Sequence, residues 1–152
     1  MFPNKAKMVR SANSLWLILA VAPALYLVIA ALVTLGKPGF ARDQTLVLWV
    51  FFLLVIVSVA QLGLTVFFQT RKTLMQTTAV YGPVGRTYLT MATGSILSEA
   101  HAIYGLVLTL LSGSIFYGVG FSLVAWASLF WVRGRFKQNL GKLPDNKPNS
   151  TS

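Results

Sequence analysis

The sequence predicts an all-α polytopic membrane protein, a bundle of four transmembrane helices, and three observations predict it. Hydrophobic residues fill 55% of the 152 positions and charged residues only 11%, whereas soluble domains carry about 25% charged residues. The apolar residues are gathered into four runs of 18–25 positions, long enough or nearly so to cross a hydrocarbon layer of about 30 Å at about 1.5 Å per helical residue. The 13 lysines and arginines, against three acids, fall almost entirely in the gaps between those runs, which is the placement of a membrane protein rather than of a nucleic-acid-binding surface. Helices are favoured over barrel strands because no run alternates apolar and polar residues.

The first span covers residues 15–35. Its basic preface, Lys5, Lys7 and Arg10, is similar to the start of a signal peptide, but a run of 21 residues with no small-x-small cleavage site before Gly36 exceeds a signal core of roughly 7–15 residues. It is therefore read as a retained span, kinked at Pro23, where the ring removes a backbone donor. The second span covers residues 45–68. The third, residues 87–111, follows a basic connection that carries a turn at Tyr81, Gly82 and Pro83. The fourth, residues 115–132, reaches only about 27 Å, and Trp131 and Arg133 seat its end in the interface. Residues 1–137 thus make up the bundle. Residues 138–152 hold Gly141, Pro144, Pro148 and a polar end without apolar periodicity, and are expected to form a disordered cytoplasmic tail.

Orientation follows from the basic residues. Lys5, Lys7, Arg10, Arg71, Lys72, Arg86, Arg133, Arg135, Lys137, Lys142 and Lys147 lie on one side, and only Lys37 and Arg42 on the other. The positive-inside rule then places both termini in the cytoplasm, with the chain in the cell membrane. Arg133, Arg135 and Lys137 cluster at the membrane edge and are expected to attract anionic lipid headgroups, each contributing about 1 kcal/mol near the surface. Lipid, rather than nucleic acid, is the expected partner of that charge.

The third span carries what chemistry the chain has. Glu99, its only glutamate, lies near the middle of that span, where a charged carboxylate is disfavoured by at least about 2.5 kcal/mol and is normally neutral, paired or facing water. At 100° per helical residue, Thr90, Gly94, Ser98, Ala102 and Gly105 form a stripe of small side chains that lets another helix approach closely. Glu99 borders that stripe, and the stripe is expected to pack on the second span. His101, the only histidine, points about 200° away from Glu99, so each needs its own partner. An interhelical hydrogen bond is the expected role of His101, with a proton relay as the alternative. Glu99 lies about 18 Å from the inner edge, Ser58 about 15 Å and Gln61 about 10 Å. Gln61, the one amide inside the second span, is costly to leave unpaired in hydrocarbon. A Gln61–Glu99 bond is therefore the expected contact and would keep the acid protonated.

Residues 98–107, which read Ser-Glu-Ala-His-Ala-Ile-Tyr-Gly-Leu-Val, resemble the carboxylate helix of the proteolipid (c) subunits of rotary ATPases. The resemblance implies a reversible proton or cation carrier at Glu99, a hydroxyl partner at Tyr104 and a polar neighbour at Gln61. Sodium-carrying members usually follow the acid with a hydroxyl residue; Ala100 stands there, so the resemblance favours protons. The second span departs from the family, with Gly63 alone in place of a Gly-x-Gly-x-Gly run, and a further span follows the acid. The whole chain is thus read as a look-alike of the hairpin rather than a rotor subunit.

Other chemistry finds no residues to carry it. The chain has no cysteine, and one histidine with three scattered acids cannot assemble a metal site of three or four protein ligands. No Ser-His-Asp set, phosphate loop or dinucleotide fingerprint is present. The expectation is a non-enzymatic membrane protein without cofactor, whose Glu99 binds a proton or cation, with a protonated interhelical hydrogen bond as the alternative. A second copy of the chain or another membrane protein is the partner its small-residue stripe could take.

Overall fold

A computed structural model describes residues 5–35, 39–41, 43–69 and 71–143, the side chains of residues 71–80 excepted. Four helices follow one another: α1 (Lys5–Thr34), α2 (Gln44–Phe68), α3 (Arg71–Ser112) and α4 (Ile115–Gly141). Each is long and apolar enough to cross a membrane, in α3 over Tyr81–Ser112. The fold class is the one the composition dictates.

The distribution of polarity is that of a protein solvated by lipid. Leu17, Ile18, Leu25, Leu32, Phe52 and Ile56 are among the many large apolar side chains left exposed along α1 and α2, while Ser58, Thr65, Thr90, Ser95, Ser98, His101, Thr109, Ser122 and Ser128 are buried. Soluble monomers rarely leave so many large apolar side chains exposed side by side. Inside hydrocarbon the buried hydroxyls need partners, and for several the helix supplies one, whereas the hydroxyls of Ser95, Thr109 and Ser122 have none among the described residues. Thr65 donates to Gln61 O (2.9 Å), Thr87 to Pro83 O (2.9 Å), Thr90 to Arg86 O (3.0 Å) and Ser112 to Leu108 O (2.7 Å), each reaching back one turn.

Helix α3 is the axis of the bundle. It packs on α4 most extensively, then on α1 and α2, and α1 also packs on α4. The small-residue stripe faces α4, not α2 as the sequence suggested. A Cβ on Gly105 would lie 2.8 Å from Phe121 Cβ and 3.1 Å from Gly118 Cα, and one on Gly94 would lie 3.0 Å from Val132 Cγ2. Ser98 Oγ donates to Gly94 O (2.7 Å), so in its 2.6 Å contact with Ser128 Oγ the donor is Ser128. The reason is complementarity. Helix α4 brings its own small buried residues, Gly118, Ser122, Ala125 and Ser128, and the tight turn at Gly113 (φ 72°) makes α3 and α4 antiparallel neighbours. Helix α2 has a single glycine, Gly63, and a Cβ there would meet nothing within 4 Å.

Two boundaries differ from expectation. Helix α3 begins at Arg71 and breaks at Gly82 (φ 70°, ψ 171°), a left-handed backbone position open to glycine and followed by Pro83, which starts the next helical segment. At the other end α4 continues to Gly141, so residues 138–141 are helical rather than disordered. Leu143 is buried with Met8, Ala12, Val132 and Phe136, and Leu140 packs against that cluster. Lys5 Nζ reaches Leu143 O at 3.4 Å. The first and last helices therefore close the bundle at one end, and both described chain ends lie there. Residues 144–152 of the expected tail lie outside the described residues.

The opposite end is closed by backbone. Phe40 N and Ala41 N donate to Leu110 O (3.0 Å) and Leu111 O (2.9 Å), satisfying carbonyls that the end of α3 leaves open. Gly39 lies so close to the Leu111–Gly113 backbone that no Cβ fits. Asp43 caps α2 by accepting from Thr45 N at 2.8 Å.

Candidate functional site

The mid-span residues Glu99, His101 and Gln61 make their side-chain hydrogen bonds on two flanks of α3. Glu99 is half-buried, and its Oε1 accepts a 2.7 Å hydrogen bond from Tyr26 OH on α1. His101, fully buried, faces α2, where its Nε2 lies 3.3 Å from Ser58 O. Gln61 Nε2 donates to Tyr104 OH at 2.7 Å. The rotation between Glu99 and His101 thus separates two helix contacts, α3 to α1 and α3 to α2.

The expected Gln61–Glu99 bond is not formed. Glu99 points toward α1, while α2 lies on the flank served by His101 and Tyr104. Depth alone does not prevent the contact; the direction of the side chain does. Tyr104 does not serve Glu99 either, since five residues on a helix turn it about 140° away. Ser58 takes part through its backbone carbonyl. Of the four residues expected to form one ion or proton site, Gln61 and Tyr104 meet each other, Ser58 meets His101, and Glu99 stands apart with Tyr26.

The residue that sequence reasoning missed is Tyr26. Its signal was present: between Leu17 and Val33 it is the one side chain with a hydrogen-bonding group. It stands 11 residues, about 16 Å, from the start of the first apolar run, close to the depth of Glu99.

His101 sits between carbonyl oxygens. Its Nδ1 lies 3.1 Å from both Leu97 O and Ser98 O, and its Nε2 faces Ser58 O. Carbonyls only accept, so a neutral imidazole with its single N–H serves one side, and serving both requires a proton on each nitrogen. Around it, Tyr104, Phe121, Phe51 and Tyr117 form a chain of ring contacts with centroids 5.5–6.5 Å apart. Gln61 Oε1 is enclosed and has no hydrogen-bond partner among the described residues.

Helix α1 is fastened to α4 by two indoles, which the sequence reading also missed. Trp16 Nε1 donates to Leu129 O (3.2 Å) and Trp126 Nε1 to Ala20 O (2.9 Å). The second bond lies in the turn before Pro23, beside the Leu19 carbonyl that the missing proline N–H leaves without its ladder donor.

The three basic residues at the end of the fourth apolar run lie on two faces of α4. Arg133 lies 3.8 Å above the Trp16 ring, with Lys137 one turn further along the same face. Arg135 points the other way, 5.5 Å from the Trp131 ring and 3.5 Å from Gln138 Oε1. No family model, no curated protein and no solved structure matches the chain.

Proposed function

We propose that this chain is a non-enzymatic integral membrane protein, of the cell membrane with cytoplasmic termini, in which Glu99 reversibly binds a proton. The observation that carries the proposal is the Tyr26–Glu99 hydrogen bond of 2.7 Å between two membrane-spanning helices, formed by the chain's one glutamate. Tyr26 donates to Oε1, and no hydrogen bond from the described residues reaches Oε2, the oxygen free to hold a proton. A proton fits the site better than a cation. Hard cations take about six oxygen ligands, and here one carboxyl and one phenol meet. The proteolipid-like sequence around Glu99 agrees with this chemistry, although Gln61 and Tyr104 serve the other flank.

A second reading makes the same bond a fixed fastener between α1 and α3, worth about 0.6 kcal/mol in a membrane. Glu99→Gln separates the two. The amide oxygen still accepts from Tyr26, so a fastener keeps its strength, whereas a proton site loses its exchangeable proton. With purified protein in vesicles, proton binding predicts labelling of Glu99 by a hydrophobic carbodiimide that declines as pH rises, and a proton flux that Glu99→Gln abolishes. Absence of labelling at every pH would leave only the fastener.

A further inference from the structure

We infer that the cleft between α1 and α4 at the end bearing the chain termini is a binding site for the phosphate headgroup of an anionic membrane lipid. The cleft has a volume of about 360 Å³ and is lined by Trp16, Phe130, Arg133, Gly134 and Lys137. Its position is interfacial: Trp16 opens the first apolar run and Arg133 follows the last. Trp16 is held in place by its indole bond to Leu129 O, and Arg133 is held over the ring by cation–π attraction. The guanidinium is thereby ordered before any ligand arrives, with its N–H groups available to phosphate oxygens. Lys137, one turn further from the hydrocarbon, supplies a second cation on the same face.

Gly134 lines the cleft, and a Cβ there would meet nothing within 4 Å, so the space beside it is open to a ligand. Phe130, 61% exposed and one turn toward the hydrocarbon, gives the acyl chains an apolar wall. No described acid competes for these cations. Glu99 is bonded to Tyr26 in mid-span, and Asp43 caps α2 at the opposite end. A lipid is favoured over a soluble anion because cations and apolar wall are continuous across the interface, so one molecule bearing phosphate and hydrocarbon satisfies both.

The test is native mass spectrometry of the full chain in detergent, titrated with phosphatidylglycerol or phosphatidylcholine, with helical content checked by circular dichroism. Phosphatidylglycerol should be retained at least about tenfold more tightly than phosphatidylcholine, as expected where two basic residues meet the extra charge. Lys137→Gln should weaken it about fivefold and the double change Arg133→Gln with Lys137→Gln about 30-fold. Gly134→Leu, which fills the cleft and keeps every charge, should weaken it at least about fivefold, while Arg135→Gln should change it less than about twofold. If the double variant fails to fold, Lys137→Gln and Gly134→Leu decide. Equal losses for Arg135→Gln and Lys137→Gln, or no effect of Gly134→Leu, would overturn the site in favour of diffuse attraction. Displacement of the lipid by equimolar inorganic phosphate would overturn it in favour of a soluble anion.

Discussion

Glu99 could be singled out from the sequence because a carboxyl in mid-span has no inexpensive surroundings. Its partner could not, because depth along a helix is readable from a sequence but the relative placement of helices around an axis is not. Gln61 was the more polar choice, yet it lies across α3 from Glu99, and the weaker group on the correct flank, Tyr26, makes the bond. The same consideration explains His101, whose direction away from Glu99 was legible while its acceptor, the backbone carbonyl of Ser58, was not. Removing the phenol oxygen tests the pairing: Tyr26→Phe should lower stability in detergent by about 0.6 kcal/mol and at most about 1.7. Tyr104→Phe should leave carbodiimide reactivity of Glu99 unchanged and Tyr26→Phe should alter it. If Tyr104→Phe alters that reactivity as much as Tyr26→Phe, the assignment of Tyr26 is wrong.

At the scale of the helices, run length and composition placed all four spans, because hydrocarbon thickness sets how much apolar sequence each must have. What escaped was the partner of the small-residue stripe. Packing against α4 depends on a matching set of small residues, Gly118, Ser122, Ala125 and Ser128, on the facing helix. That set was visible in the sequence, but becomes informative only once both helices are compared. Gly105→Val is expected to cost about 1–3 kcal/mol by forcing α3 away from the Gly118 backbone. Gly63→Val, where a Cβ meets nothing within 4 Å, should be close to neutral. Thermal unfolding of the two variants side by side measures the difference. Equal effects would mean that α3 packs no more closely on α4 than α2 packs on its surroundings.

For the whole molecule, the polar interior and apolar exterior define a bundle built around α3, with α1 and α2 on different flanks and α4 closing the α1 side. Helix α2 is the least enclosed, with Val47, Ser58 and Thr65 as its buried residues. The contact of the first and last helices beyond the hydrocarbon was not anticipated. Residues 138–143 lack a long apolar run, and their helix is held by two leucines, Leu140 and Leu143, meeting Met8 and Phe136. Two apolar residues in a polar segment give too little periodicity to announce a docked helix end. Leu143→Ala should cost about 2 kcal/mol or more by opening a cavity in that cluster, seen as faster amide exchange at both chain ends together. Exchange confined to the last helix would argue against closure by α1.

Proton binding by Glu99 requires a carboxyl that changes protonation while remaining bonded to Tyr26. The most direct measurement is infrared difference spectroscopy of the protein in lipid across a pH titration. A protonated-carboxyl C=O band should convert to carboxylate as pH rises, be missing in Glu99→Gln and move in frequency in Tyr26→Phe. A spectrum in which no pH-dependent carboxyl band is lost in Glu99→Gln would contradict it.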